Sequence, residues 1–339
     1  MDGIDLGAVE RFLADSLPGF EGPVTAKKFA SGQSNPTFLL TTPAEKYVLR
    51  RKPPGELLKS AHAVDREFRV QKALASTDVP VPRMHLLCED EGVIGSAFYV
   101  MEFLPGRCFD DPRLPELSGE DRSTVYDELS RVLAAIHGVD YGACGLGDFG
   151  RPGNYVRRQL DRWKRQYRAS ETERIGAMEG LIVWLDESAP ADDGLASLVH
   201  GDVRLDNLLF AEHEPSCVAV LDWELSTIGH PYADVAAVLM QWRMPAGMQG
   251  RGLKGVDRAA LNIPSDEVFV ASYCRRRGIE GIEHLEFYIA FCFFRMAAIL
   301  QGVKKRGLDG NASNPVRAAE LGAIVPLYAE EGLAAAQGS

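Results

Sequence analysis

At 339 residues, 46% hydrophobic and 25% charged, the chain can bury one large core or two moderate ones, and its composition is that of an ordinary soluble protein. A formal net charge of -11 argues against broad contact with nucleic acid or an anionic membrane, since both need clustered Lys and Arg to neutralise phosphate. The acidic start, Met1-Asp2-Gly3-Ile4-Asp5, has neither the basic nor the apolar region of a secretion signal, so the expected address is the cytoplasm. Cys88, Cys108, Cys144, Cys217, Cys274 and Cys292 form no C-x-x-C pair and read as reduced core thiols.

A first helix is expected over 6–17, followed by strands over 24–30, 37–42 and 46–50. Between the first two strands lies Ser31-Gly32-Gln33-Ser34-Asn35-Pro36. Ser31, Gly32, Ser34 and Asn35 can lay N–H groups and hydroxyls over the oxygens of a nucleotide, although the segment reads equally as a plain hairpin loop. The third strand ends Tyr47-Val48-Leu49-Arg50, and the planar fork of Arg50 can chelate phosphate oxygens and a carboxylate. Lys52 is a second candidate for the phosphate contact. After Pro53-Pro54-Gly55, residues 56–76 have near-helical apolar spacing with one lapse at Gln71. Glu67 on this helix can pair with Arg50 or stand as a solvated carboxylate.

Val79-Pro80-Val81-Pro82 cannot continue a helix and leads to an extended segment at 84–87 and a hairpin turning near Glu91-Gly92. A strand over 97–104 carries Met101, Glu102 and Leu104 and ends at Pro105-Gly106. A domain boundary is expected there, dividing the chain into 1–104 and 105–339. From Gly119 the pattern is helical, closing at His137-Gly138, where His137 reads as a helix-end cation or cap. The next helix has Val156, Leu160, Trp163 and Tyr167 as its buried stripe and Arg157, Arg158, Arg162, Lys164, Arg165 and Arg168 on its other faces. This basic run can attract an anionic substrate or be a solvated face only. A helix over 178–188 completes the approach to the most informative stretch.

That stretch, Ser197 to Phe210, is a polar loop between two short apolar runs, with His200, Asp202 and Asn207 at the spacing H-x-D-x-x-x-x-N used by the catalytic loop of protein kinases. The strand Cys217 to Leu221 then ends in Asp222-Trp223-Glu224. The amide of Asn207 and the carboxylate of Asp222 are hard oxygen ligands suited to magnesium, and Asp202 is suited to accept the proton of an attacking hydroxyl. As turn residues, the same Asp and Asn would bond their own backbone. Downstream, a turn from Thr227 leads into an apolar helix near Asp234, which can cap it. Helices are expected over 268–277, 285–300 and 318–331, with 334–339 frayed. The apolar run 287–300 contains Arg295 and is too short to span a bilayer, which points to a buried helix.

His200-Gly201-Asp202, Asn207, Leu221-Asp222-Trp223-Glu224 and Gly229-His230-Pro231 with Asp234 resemble the aminoglycoside phosphotransferase and choline kinase superfamily over nearly the whole chain. Gly32 to Thr37, Tyr47 to Gly55 and Asp161 to Tyr167 are similar to the kinase-like domains associated with acyl-CoA dehydrogenases. The resemblance implies an α+β, bilobal, protein-kinase-like fold: a small antiparallel-sheet lobe with one helix that binds nucleotide, and a larger, mostly helical lobe for catalysis and substrate. It implies ATP and magnesium as cofactors, Asp202 as base, and Asn207 and Asp222 as metal ligands. Arg204 stands near the position of a phosphate-contacting lysine, Met101, Glu102 and Leu104 at an adenine-binding hinge, and Asp234 where an aspartate holds the catalytic loop from beneath.

The implied acceptor is a small-molecule hydroxyl, with a hydroxyacyl-CoA or hydroxy acid foremost and functional association with an acyl-CoA dehydrogenase expected. An aminoglycoside is the alternative, and a non-catalytic nucleotide-binding module the alternative of another class. Trp223-Glu224 in place of Phe-Gly, and the lack of an A-P-E activation segment, speak against a protein substrate.

Overall fold

The computed structural model describes residues 4–29, 35–53, 63–247, 251–312 and 314–338. In chain order the elements are α1 (Leu6–Ser16), β1 (Thr25–Lys28), β2 (Thr37–Thr41), β3 (Lys46–Arg51), α2 (Val64–Leu74), β4 (Met84–Cys88), β5 (Phe98–Glu102), α3 (Gly119–Gly138), α4 (Tyr155–Ser170) and α5 (Gly176–Ser188). There follow β6 (Ser197–Val199), β7 (Leu208–Phe210), β8 (Cys217–Val220), β9 (Thr227–Gly229), α6 (Tyr232–Trp242), α7 (Asp266–Arg277), α8 (Leu285–Leu308), α9 (Pro315–Ala323) and α10 (Val325–Ala336). The chain divides into two compact units: Met1–Cys108 with Tyr141–Gly147 and Asn207–Ser226, and Phe109–Asp140 with Asp148–Asp206 and Thr227–Ser339.

The first unit is built on a five-stranded antiparallel sheet in the order β1-β2-β3-β5-β4. Successive side chains of a strand point to opposite faces, so each strand feeds two cores. Leu40, Leu49, Phe98 and Val100 meet Val9 and Leu13 of α1 on one face, while Val48, Tyr99 and Met101 meet Val64 of α2 on the other. Arg50 shares the face of Val48, and the register pairs it with Tyr99. The pleat therefore sends the guanidinium toward α2.

The β7–β8 hairpin belongs to this unit for a hydrogen-bonding reason. Arg107 and Phe210 exchange both N–H···O bonds, at 2.8 and 2.9 Å, and the Val220 N–H donates to the Pro80 carbonyl at 2.8 Å. A Cβ on Gly106 would come within 2.4 Å of the Phe210 carbonyl oxygen, so the close approach of these strands requires glycine there. The single boundary expected near Pro105 is thus replaced by a division in which Asn207–Ser226 groups with the sheet.

Among the described residues the second unit is mainly helical, with the β6–β9 pair and two isolated bridges, Pro245 to Lys254 and Ala246 to Gly252. Ser118 caps α3 by accepting from the Asp121 N–H, and Ser265 caps α7 by accepting from that of Val268. Helix α8 is the centre of the packing, in contact with α4, α5, α6, α9 and α10. Its 24 residues outrun the apolar stretch that signals it, and by length and composition it could cross a membrane, yet 67% of its most apolar window is buried within the fold.

Several sequence expectations change. The three residues of β9 read as a turn, because Thr-Ile-Gly before His-Pro is too short to show alternation. The expected helix over 318–331 is two helices broken at Ile324. Cys108 is exposed and Cys144 half-buried, so only Cys88, Cys217, Cys274 and Cys292 are core thiols. In α4, Leu160 and Tyr167 are buried, while Val156 and Trp163 are only partly so.

Candidate active site

In the first unit, charged side chains converge behind the sheet. Arg50 on β3 approaches Glu67 on α2 (Nε to Oε2, 2.8 Å) and Asp222 just past β8 (Nη2 to Oδ1, 2.5 Å). The Nε contact is an ion pair without an aligned hydrogen bond; the aligned bond from Arg50 to Glu67 runs from Nη2 to Oε1 at 3.4 Å. Glu67 is fully buried and has two further donors, the Asn35 amide (Nδ2 to Oε1, 2.8 Å) and the Tyr99 hydroxyl (3.0 Å). Gln71, the apparent lapse in the helix pattern, is buried and donates to the Tyr99 hydroxyl oxygen at 3.4 Å.

Burial raises Glu67 above the usual carboxylate range, while Arg50 and the Tyr99 bond pull it back. Burial works against the Arg50 charge, but Glu67, Tyr99 and Asp222 outweigh it and the guanidinium is held more firmly protonated than usual. The pair is therefore a buried ion pair in which Glu67 is satisfied by three side chains while Arg50 Nε, 2.8 Å from Oε2, lacks an aligned hydrogen bond.

Asp222 is reached by an abrupt backbone turn, at φ 64° and ψ 58°, the left-handed region that Asp and Asn tolerate better than other side chains. The next residue anchors that turn: Trp223 is fully buried and its indole N–H donates to the Val220 carbonyl at 2.9 Å. Asn207 is buried, and its carbonyl accepts from the Leu221 N–H at 2.8 Å, tying the end of β8 to the start of β7. Glu67, Asp222 and Glu224 each offer a carboxylate oxygen within 4.8 Å of the others, so Glu224 joins the cluster although sequence reasoning gave it no role.

In the second unit, the loop after β6 hangs on one carboxylate. Asp234, buried in the first turn of α6, accepts from the His200 N–H at 2.7 Å and the Gly201 N–H at 2.9 Å. It thus holds the His200-Gly201-Asp202 backbone as expected from the resemblance. Gly201 sits at φ 84°, a conformation that glycine adopts without penalty. His200 is fully buried, and its Nδ1 accepts from the Asp202 N–H at 3.3 Å. His137 is no helix-end cap: it is buried, with Nδ1 2.8 Å from the Tyr273 hydroxyl and Nε2 3.4 Å from Asp234 Oδ2. Burial alone would raise Asp234, but the His137 and His200 contacts hold it below its ordinary value.

Asp202 remains partly exposed, with Arg204 Nη2 3.4 Å from its Oδ2. Arg204 also reaches Asp206 (Nε to Oδ1, 3.1 Å), and Asp206 takes a second guanidinium from Arg251 at 2.9 Å. Neither Asp206 nor Arg251 carries a motif signal; only folding brings them together.

The remaining expected residues divide. Ser31, Gly32 and Ser34 lie outside the described residues. The Asn35 amide is turned onto Glu67, which makes it a support of the ion pair. Lys52 is 3.8 Å from Asp65 and partly exposed, while the Arg50 side chain is the cation in the buried cluster. Met101 packs with Val48, Tyr99 and Phe68. The Glu102 N–H donates to the Arg83 carbonyl at 2.9 Å, and Leu104 is half-buried beyond the strand end.

The antiparallel sheet of the first unit and the helices of the second are those of the kinase-like α+β fold of the phosphotransferases. The chain belongs to the phosphotransferase enzyme family, whose sequence profile matches residues 25–276. It is 48% identical to a putative aminoglycoside phosphotransferase from Ralstonia eutropha JMP134, with a TM-score of 0.90 and 99% of each chain covered. A thermostable mutant of aminoglycoside phosphotransferase APH(4)-Ia, solved as a ternary complex with AMP-PNP and hygromycin B, shares the fold at 18% identity and a TM-score of 0.60, over 96% of this chain and 99% of that one. Acyl-CoA dehydrogenase family member 10 of Mus musculus is 47% identical over 309 residues, which cover 91% of this chain and 29% of that protein. The chain spans less than half the length of the curated relatives it matches.

Proposed function

We propose that the protein transfers the γ-phosphate of ATP, with magnesium, to a hydroxyl of a small hydroxy acid or hydroxyacyl-CoA. The observation that carries this reading is the convergence of Arg50, Glu67 and the distant Asp222 into one charged cluster, with Glu67 fully buried and Asp222 partly exposed. A guanidinium fixed by a buried carboxylate is a preorganised phosphate ligand, which costs no reorganisation when charge develops on the transferred group. Asp202 takes the role of base, receiving the proton of the acceptor hydroxyl as its oxygen attacks. Arg204, against Asp202, offers a cation for the phosphoryl oxygens.

The donor set suits a divalent cation. Glu67, Asp222 and Glu224 offer hard carboxylate oxygens, and the Arg50 guanidinium already meets Asp222 Oδ1 as positive charge. Asn207 and Asp222 would hold the ion, with Glu224 near. When bound, magnesium supplies charge neutralisation on the phosphates. Main-chain groups of Glu102 and Leu104, with Met101, are the proposed adenine contacts, and Ser31, Gly32 and Ser34 the proposed phosphate cover. The relative solved with AMP-PNP and hygromycin B supports simultaneous binding of nucleotide and a hydroxyl acceptor.

The names of the relatives favour an acceptor from acyl-CoA metabolism and functional association with an acyl-CoA dehydrogenase. The description of the Ralstonia protein favours an aminoglycoside instead. An ADP-release screen over hydroxyacyl-CoAs, free hydroxy acids, choline-like alcohols and aminoglycosides decides between them. Release with an acyl or hydroxy-acid acceptor, abolished by Asp202→Ala, is the expected result. ATP binding without release for any acceptor would instead identify a non-catalytic nucleotide-binding module.

A further inference from the structure

The cations of α4 are not equivalent. Arg157 engages Asp186 at 3.1 Å, Lys164 engages the same carboxylate, and Arg168 takes Glu179 and Glu171. Arg158 is occupied by the carbonyls of Arg151 and Gly153. Among the described residues, Arg162 and Arg165 are the cations of this helix with neither a carboxylate nor a carbonyl partner of this kind.

Arg162 lies against its neighbour Trp163, with 5.5 Å from the guanidinium carbon to the ring centroid. The same ring takes Arg295 from α8, at 5.8 Å. Arg295 is the one charged residue of the apolar run 287–300, and its Nη2 donates to the Gly201 carbonyl at 3.2 Å, next to Asp202. A partly buried guanidinium in an apolar helix costs free energy that an aromatic ring and a single carbonyl offset only in part. An anion reaching the guanidiniums held at this ring would offset the rest.

We propose that Arg162, Trp163 and Arg295 form a recognition platform for the anionic group of the acceptor, a carboxylate or a phosphate. Through its bond to Gly201, Arg295 is also a positioning residue for the loop that carries Asp202. The platform rests on the anionic-acceptor part of the proposed function, and binding tests it without turnover.

The full chain is titrated, without ATP, with coenzyme A, with 3-hydroxybutyrate and with the uncharged 1,3-butanediol, at two salt concentrations. Binding of an anionic probe, weakened by salt and absent for the diol, is expected, and preference between the two anions tells phosphate from carboxylate. Arg162→Gln and Arg295→Gln should each weaken that probe by about tenfold, the loss of one charge-assisted contact. Arg165→Gln should change it less than about twofold, as an exposed charge. Wild-type affinity in Arg162→Gln, an equal loss in Arg165→Gln, or no anion binding by the unmodified protein overturns the platform. Arg162 is exposed, so that variant decides even where Arg295→Gln fails to fold. Arg162-dependent binding without ADP release for any acceptor removes the proposed function and keeps the platform. ADP release from an anionic acceptor whose KM is unmoved in Arg162→Gln does the reverse.

Discussion

Two carboxylates, Glu67 and Asp234, are both buried and both hold a segment to which the proposed function gives a role, but they are satisfied in opposite ways. Glu67 draws its partners from side chains: Arg50 of β3, Tyr99 of β5 and Asn35 from the segment before β2. Asp234 draws two of its partners from the main chain, the consecutive amides of His200 and Gly201, and the third from His137. A carboxylate bound by side chains fixes charges relative to one another, while one bound by amides fixes the path of the backbone. The first arrangement suits a residue that must present a cation, the second a loop that must present a carboxylate.

The largest expected effect tests whether the loop acts separately from the cluster. Asp202→Ala should lower turnover by about three orders of magnitude, within the span usual for loss of a general base, while equilibrium ATP binding stays within about threefold. Comparable loss of ATP affinity would show that the two regions are one functional unit.

Arg50→Ala leaves Glu67 buried without its main counter-charge, and chemical denaturation should show a loss of about 3–5 kcal/mol. Arg50→Lys should recover part of that stability, because the charge returns without the planar fork that spans two carboxylates. Full recovery would mean that the fork has no structural role.

Asp234 makes the matching prediction for the backbone-held side. A carboxylate depressed in the folded state stabilises above its unfolded value, and this contribution disappears as pH falls through the folded value. Stability should therefore fall with acid below about pH 4, and Asp234→Asn should flatten that limb. The substitution should cost about 1–3 kcal/mol near neutrality, since an amide cannot accept two N–H bonds and meet His137 as a carboxylate does. An unchanged acid limb in Asp234→Asn would assign it to other groups. The smallest effect belongs to Lys52→Gln, less than about 1 kcal/mol in denaturation, because its contact with Asp65 is partly exposed.

This contrast also explains how much of the fold and site was legible. The family and the kinase-like α+β class were implied by a resemblance carried by short motifs, and most elements of both units by local periodicity. Asp234 could be read because the resemblance implies an aspartate at that helix start holding the loop, and its place after Gly229-His230-Pro231 is a one-dimensional feature. The Arg50–Glu67 pair was within reach, since both elements were visible and charges of opposite sign faced each other across them. The Asn35, Gln71 and Tyr99 bonds were not, because they depend on the register of β3 with β5 and on which face of α2 turns inward. His137 looked like an end cap because sequence places it at the terminus of α3 without saying which side of that terminus is buried. Arg251 and Asp206 meet across 45 positions and leave no local trace.

The left-handed turn at Asp222 has a consequence for evolution of the chain. Glycine, asparagine and aspartate are the residues that occupy such a backbone position readily. A descendant that had abandoned chemistry would still be confined to this short menu by the geometry of the bend. Persistence of aspartate there is weaker testimony to activity than persistence of Asp202, whose own conformation imposes no such filter.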